Sequence, residues 1–314
     1  MRYFLLLLAA MVVPSAALAN PAALTSEDRQ TVLTEVVSHL EDNYVQPEVG
    51  RAAAIELEAD VASGRFADIR KGEEFADTLS TRLQELTGDG HLNVEYSRQP
   101  IDLSAAADET FSADEMEKYY GAHVNFGVQT AGRLDGNVGY LDLRVFAPID
   151  MGGDTVTAAM NVIANTDALI IDLRNNGGGS GDMADLVASY LVGDEREPLT
   201  GTYNRPTETL TQRYTQAYVP GQRFGSDKPV YVLVSSKTFS AAEALAYNLQ
   251  ALKRATIVGE ASGGGAHPFE YLPIHPHFVL WSVTAKSVNP ITGDNWQGVG
   301  VQPYILVPAD TALE

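Results

Sequence analysis

An apolar strand, VYVLV, runs into SSKTFSAAEALAYNLQ, and Ser240 is the last residue before helical periodicity begins. Two chemistries fit that serine. With Glu243 it makes the S-x-x-E spacing of a capping box, in which the serine oxygen accepts an orphan N–H and the glutamate reaches back. At the positive end of a helix dipole, the same serine is also placed to lose its proton to a base and attack a carbonyl. A second stretch, DALIIDLRNNGGGSGD, ends a strand and opens a helix through Gly177, Gly178 and Gly179. Glycines there accept positive φ and turn N–H groups outward, a cradle for phosphate or for the oxyanion of acyl transfer. Neither G-x-x-x-x-G-K nor G-x-G-x-x-G is present, which disfavours phosphate. A flexible strand-to-helix turn is the plain alternative.

A nucleophilic serine needs a base. The six histidines are His39, His91, His123, His267, His275 and His277. His39 is expected at an exposed helix position. His275 and His277 share one face of a strand and could grip a metal, but no third ligand stands nearby. His91 follows Asp89-Gly90 at a junction of elements, where loops often hold catalytic groups. His267, after the second glycine triplet in GGGAHP, is the other candidate. There is no cysteine, so thiol catalysis and thiolate metal sites are excluded. A G-x-S-x-G elbow is also missing.

Helices and strands must position these groups. Val32, Leu33, Val36, Val37, Leu40 and Tyr44 recur at helix spacing, as do Ala53, Leu57 and Val61, then Phe75, Leu79 and Leu83. They predict a small three-helix bundle. At Gly88 the texture changes to GDGHLNVEY, whose Leu92, Val94 and Tyr96 lie on one face of a strand. RLDGNVGYLDLRVF predicts a hairpin at Asp135-Gly136. Alternating strands and helices follow, an α/β pattern, before a strand-rich close over residues 269–288. Residues 97–124 are irregular and acidic and predict a loop with a short helix.

Residues 1–19 have the order of a signal peptide: Arg2, an apolar run, then Ala17-Leu18-Ala19. The mature chain is therefore expected to be exported, without stable membrane insertion, to a periplasm or the outside. Formal net charge is −20, from 41 acidic and 21 basic residues. Such a surface repels phosphate backbones, so nucleic acid is a poor partner. From residues alone the reading is an exported α/β protein with a candidate serine hydrolase site.

Together, the segments TGDGHL, NVGYLDLRVF, DLRNNGGG, TFSAAEALAYNL, ATIVGEASGGGAHP and NWQGVGVQP resemble the C-terminal processing (tail-specific) serine peptidases. The likeness is to the branch related to interphotoreceptor retinoid-binding protein and the tricorn protease core. It implies an N-terminal helical bundle over residues 20–88 and a crotonase/ClpP-like spiral ββα core over residues 89–314. Too few residues separate His91 from Asn137 for a PDZ domain. The resemblance makes Ser240 the nucleophile and His91 the general base, with N–H groups of Gly177 or Gly178 and of Ala241 as oxyanion hole. Where Ser-Lys members have GKG, this chain has Gly264-Gly265-Ala266, so a histidine mechanism is implied. Gln297 stands where the branch often has an acid; it or Asp89 is expected to orient the imidazole, Gln297 without charge. A peptide or protein substrate is implied, and no cofactor or metal. The alternative is a non-catalytic carrier of an apolar ligand, as in the retinoid-binding relatives.

Overall fold

The computed structural model describes residues 23–103 and 113–314; the expected signal peptide lies outside the described residues, as do residues 104–112 of the acidic segment. The chain opens with α1 (Ser26–Asp42), α2 (Pro47–Ala62) and α3 (Gly72–Thr87). Their ends follow local chemistry. Thr25 caps α1 with a full capping box to Asp28, Pro47 is pre-set for the first turn of α2, and α3 stops at left-handed Gly88. Next come β1 (Asn93–Tyr96), α4 (Ala113–Tyr120) and a short 3-10 helix (Ala122–Gly127). Among the described residues, no PDZ-sized unit stands between β1 and the hairpin β2 (Val128–Leu134) and β3 (Val138–Leu143).

The alternation follows in order: α5 (Ile149–Ile163), β4 (Ala168–Asp172), α6 (Gly181–Tyr190), then the antiparallel pair β5 (Pro198–Asn204) and β6 (Thr209–Tyr214). After it come β7 (Val230–Val234), α7 (Ala241–Ala251) and β8 (Thr256–Gly259). The chain closes with β9 (Glu270–His275), β10 (Phe278–Ser282), β11 (Ala285–Val288) and β12 (Ile305–Leu306). The main sheet has the order β12-β8-β7-β4-β3-β2, parallel except for β2 at its edge. Helical crossovers are what parallel neighbours need, and α5 and α7 provide them. The resulting fold is the expected α/β core with an N-terminal helical unit.

Its apolar clusters do not divide at residues 88/89, where the sequence suggested a boundary. β1, β10 and β9 form a separate sheet, and Leu92, Val94, Ile274, Phe278 and Leu280 pack into the core of the helical unit. Strands from the far end of the chain thus close the N-terminal core. His39, expected on an exposed face, is buried there at 4% exposure, and burial pushes its imidazole down to about 4. His275 and His277 are engaged separately, by Asp28 Oδ1 at 3.2 Å and by the Ser97 carbonyl at 2.9 Å.

Candidate active site

β4, β7 and β8 are adjacent and parallel, so their C-terminal ends open on one edge of the sheet, where open α/β sheets bind ligands. The loop after β4 carries residues 177–179, the turn after β7 carries Ser240, and the loop after β8 carries residues 263–267. Short bonds join the three. Thr238 Oγ1 donates to the Leu173 carbonyl at 2.7 Å, and Ser235 Oγ to that of Arg174 at 2.6 Å. Phe239 N–H donates to the Asn176 carbonyl at 3.0 Å, and Gly263 N–H to that of Thr238 at 2.9 Å.

Ser240 sits at φ 55°, ψ −121°. A plain N-cap lies in the extended region. A left-handed φ with a Cβ costs about 1–3 kcal/mol and persists only where the surroundings enforce it. This is the kind of sharp strand-to-helix turn that exposes a nucleophilic serine. The capping box is half formed by bonding: Ser240 N–H donates to Glu243 Oε2 at 2.9 Å. The Ser240 oxygen stands on the side of the Glu243 N–H as a box requires, but without full hydrogen-bond geometry.

Glu243 does more than support a helix end. It is fully buried, and it accepts from Ser262 Oγ at 2.6 Å, Gly264 N–H at 2.6 Å and Gly265 N–H at 2.8 Å as well as from Ser240. One carboxylate therefore fixes the serine turn against the glycine loop. Burial pushes its pKa up, and the four donors pull against that. Gly178 closes the other side. At φ 106°, a Cβ there would stand 2.8 Å from the Ser240 Cβ and 3.1 Å from Ala241 N, so only glycine admits this approach.

Ser240 lines a cavity of about 250 Å³ whose wall includes His91, His267, Gly179, Ala241 and Gly265. The His91 ring lies between Phe239 and Phe269, with centroids 4.7 Å and 5.3 Å away. Burial pushes it down to about 4, against the pull of Asp89, so the imidazole is neutral near pH 7. The His267 ring meets a carboxylate, with Nδ1 2.6 Å from Asp89 Oδ2. Asp89 is wholly buried and also receives Tyr44 OH at 3.0 Å and the His91 backbone N–H at 3.0 Å. Burial raises the Asp89 carboxyl, but its bonds to His267 and His91 outweigh that and hold it below its ordinary value.

A strained serine, a glycine cradle and buried imidazoles on one cavity are the parts of an acyl-transfer site. Residues 137–307 match the family model described as Peptidase family S41, and residues 19–128 match the N-terminal domain of that family in eukaryotic IRBP. The chain belongs to peptidase family S41. This is a family of serine-type peptidases. A carboxy-terminal-processing protease of Bartonella bacilliformis is 29% identical over 181 residues, 56% of this chain and 40% of that protein. The chain thus spans well under two thirds of that relative. A photosystem II C-terminal processing protease shares the fold with a TM-score of 0.54 at 17% identity, over 91% of this chain and 94% of that one. The tricorn protease does so at 0.54 and 14%, over 90% of this chain and 34% of that one.

Against the family pattern, Ser240, His91 and Ala241 line one cavity in this member, while several other expected residues do something else. Gln297 makes its side-chain hydrogen bonds to backbone groups and not to an imidazole. Its Oε1 accepts Ala266 N–H at 2.8 Å and its Nε2 reaches the Gly88 carbonyl at 3.4 Å, tying the segments that precede His267 and Asp89. Asp89 holds the ring of His267, and holds His91 only through its backbone. Gly178 N–H is committed to Asn176 Oδ1 at 2.8 Å. Of the three glycines in that turn, Gly179 lines the cavity. Gly178 N–H is therefore already engaged, and Gly177 stays a candidate oxyanion donor with Gly179 beside it. The Asp89–His267 bond and the four-donor role of Glu243 were not legible in the sequence. The one signal for the first was that both histidines with glycine-rich neighbours were already candidates.

Proposed function

We propose that this chain hydrolyses peptide bonds with Ser240 as nucleophile and His91 as general base. The observation that carries the reading is the left-handed Ser240, held at the N-terminus of α7 on a cavity it shares with His91. Ser240 Oγ attacks the carbonyl carbon as its proton passes to the neutral imidazole. The carbonyl oxygen becomes negative beside Ala241 N–H, which opens α7 and has no intrahelical acceptor, and beside the glycine turn, where Gly179 faces the cavity. Collapse breaks the C–N bond, and the imidazolium returns its proton to the leaving amine. Water then releases the acyl group by the same steps in reverse.

The proposal includes export, carried by the order of residues 1–19; among the described residues, no helix is long and apolar enough to cross a membrane. The test is hydrolysis of an unstructured protein substrate such as casein by wild type and Ser240→Ala, with thermal melting of both. Cleavage by wild type alone, with both proteins folded, supports the reading. Equal cleavage by the two, or none by a folded wild type against a broad peptide panel, refutes it.

A further inference from the structure

Among the described residues, three buried side-chain nitrogens have no hydrogen-bond partner: His39 Nε2, His91 Nδ1 and His267 Nε2. His39 lies away from the site, in the helical core. The other two belong to the imidazoles of the cavity wall. A polar nitrogen sealed from water without a partner is costly, and two of them on rings that line one cavity and whose residues share the Asp89 carboxylate call for one explanation.

Their protonation states are complementary. Asp89 is an acceptor, so the 2.6 Å contact places the proton of His267 on Nδ1 and leaves Nε2 as a lone pair. His91 cannot serve as a base through Nδ1, which is sealed; Nε2 is the nitrogen left to the cavity. A base at Nε2 carries its proton on Nδ1, and that N–H needs an acceptor. One ring therefore lacks an acceptor where the other lacks a donor. Both hang from the same carboxylate, His91 by its backbone N–H at 3.0 Å and His267 by its ring. Gln297 ties Ala266 to Gly88 and so fixes the spacing between the two histidine-bearing segments.

We propose that Asp89, His267 and His91 form a relay to Ser240, in which His91 Nδ1–H donates to His267 Nε2 and His267 is the positioning residue that replaces the missing acid at Gln297. The relay rests on the peptidase reading above. The bond closes in the working site, as hydrogen bonds of apo active sites commonly do. When His91 Nε2 takes the Ser240 proton, the positive charge spreads toward His267 and the Asp89 carboxylate. No proton leaves the relay, and the one taken from Ser240 goes on to the amine.

The test is the rate at which a fluorophosphonate labels wild type, His91→Ala, His267→Gln and the double variant, across pH. His267→Gln is expected to slow labelling by about 10²-fold or more and to shift the acid limb of its pH profile. It is expected to add no further loss in a protein that already lacks His91. Labelling within about twofold of wild type, on an unmoved profile, overturns the relay while leaving the peptidase reading intact. So does a loss that simply multiplies with that of His91→Ala. A wild type that does not label at all overturns the peptidase reading and the relay with it. Should His267→Gln fail to fold, wild type with ¹⁵N-histidine decides. A through-hydrogen-bond coupling between His91 Nδ1 and His267 Nε2 supports the relay, and its absence from both free protein and adduct overturns it.

Discussion

Glu243→Gln isolates the carboxylate that joins the serine turn to the glycine loop. The change keeps shape and removes one acceptor oxygen. Oε2 faces two backbone N–H groups, those of Ser240 and Gly265; Oε1 faces Gly264 N–H and the Ser262 hydroxyl. A glutamine NH₂ in the Oε2 position would orphan two backbone donors. In the Oε1 position it orphans one, because the Ser262 hydroxyl can rotate and accept. The second arrangement wins, with Ser240 and Gly265 still bonded to the amide oxygen. An orphaned buried N–H costs about 1–3 kcal/mol, and the remaining bonds lose the charge that made them strong. Relief from burying a charge offsets part of this. A net loss of about 2–4 kcal/mol follows, read as a lower urea midpoint with unchanged slope. Because the Ser240 bond survives, fluorophosphonate labelling should fall far less than stability. Stability within about 0.5 kcal/mol of wild type at pH 7 would mean that Glu243 is already a neutral acid there, and the ionised-acceptor account would be refuted.

Other expectations concern glycine and acid. Gly178→Ala drives a Cβ to 2.8 Å from that of Ser240, on a backbone at φ 106°. It should cost about 1–3 kcal/mol and slow labelling by more than tenfold; an unchanged labelling rate would show that the turn can yield. His39 and His91 are both pushed from 6.5 to about 4 by burial, so the unfolded chain takes up their protons first as pH falls. Each contributes on the order of 3 kcal/mol that is fully present above about pH 6.5 and lost progressively down to about pH 4. His39→Gln should flatten that slope in denaturant titrations at pH 7 and pH 4.5, and an unaltered slope would contradict the assigned burial.

Periodicity told most of the fold because the buried faces are regular. Leu33, Val36 and Leu40, or Phe75, Leu79 and Leu83, bury the very stripes their spacing marks. The hairpin at Asp135-Gly136 was legible from two residues and their flanks. What spacing cannot carry is pairing across the chain. β9 and β10 join β1 in the helical core although more than half of the sequence separates them. The site shows the same limit. The serine and the glycine turn announced themselves locally, while the bond between Asp89 and His267 is a contact between residues 178 positions apart. Glu243 was legible only as a capping residue, because its other three donors come from a loop after β8. Gln297 was expected at an imidazole since the family pattern puts an acid there; the structure turns its amide to two backbone groups instead.

The most direct measurement of the central claim is the site of fluorophosphonate attachment, by intact mass and peptide mapping of wild type beside Ser240→Ala. The account predicts one adduct on wild type, on the peptide containing Ser240, and none on a Ser240→Ala protein that still folds. An adduct elsewhere, equal labelling of both proteins, or a folded wild type that never reacts would contradict it.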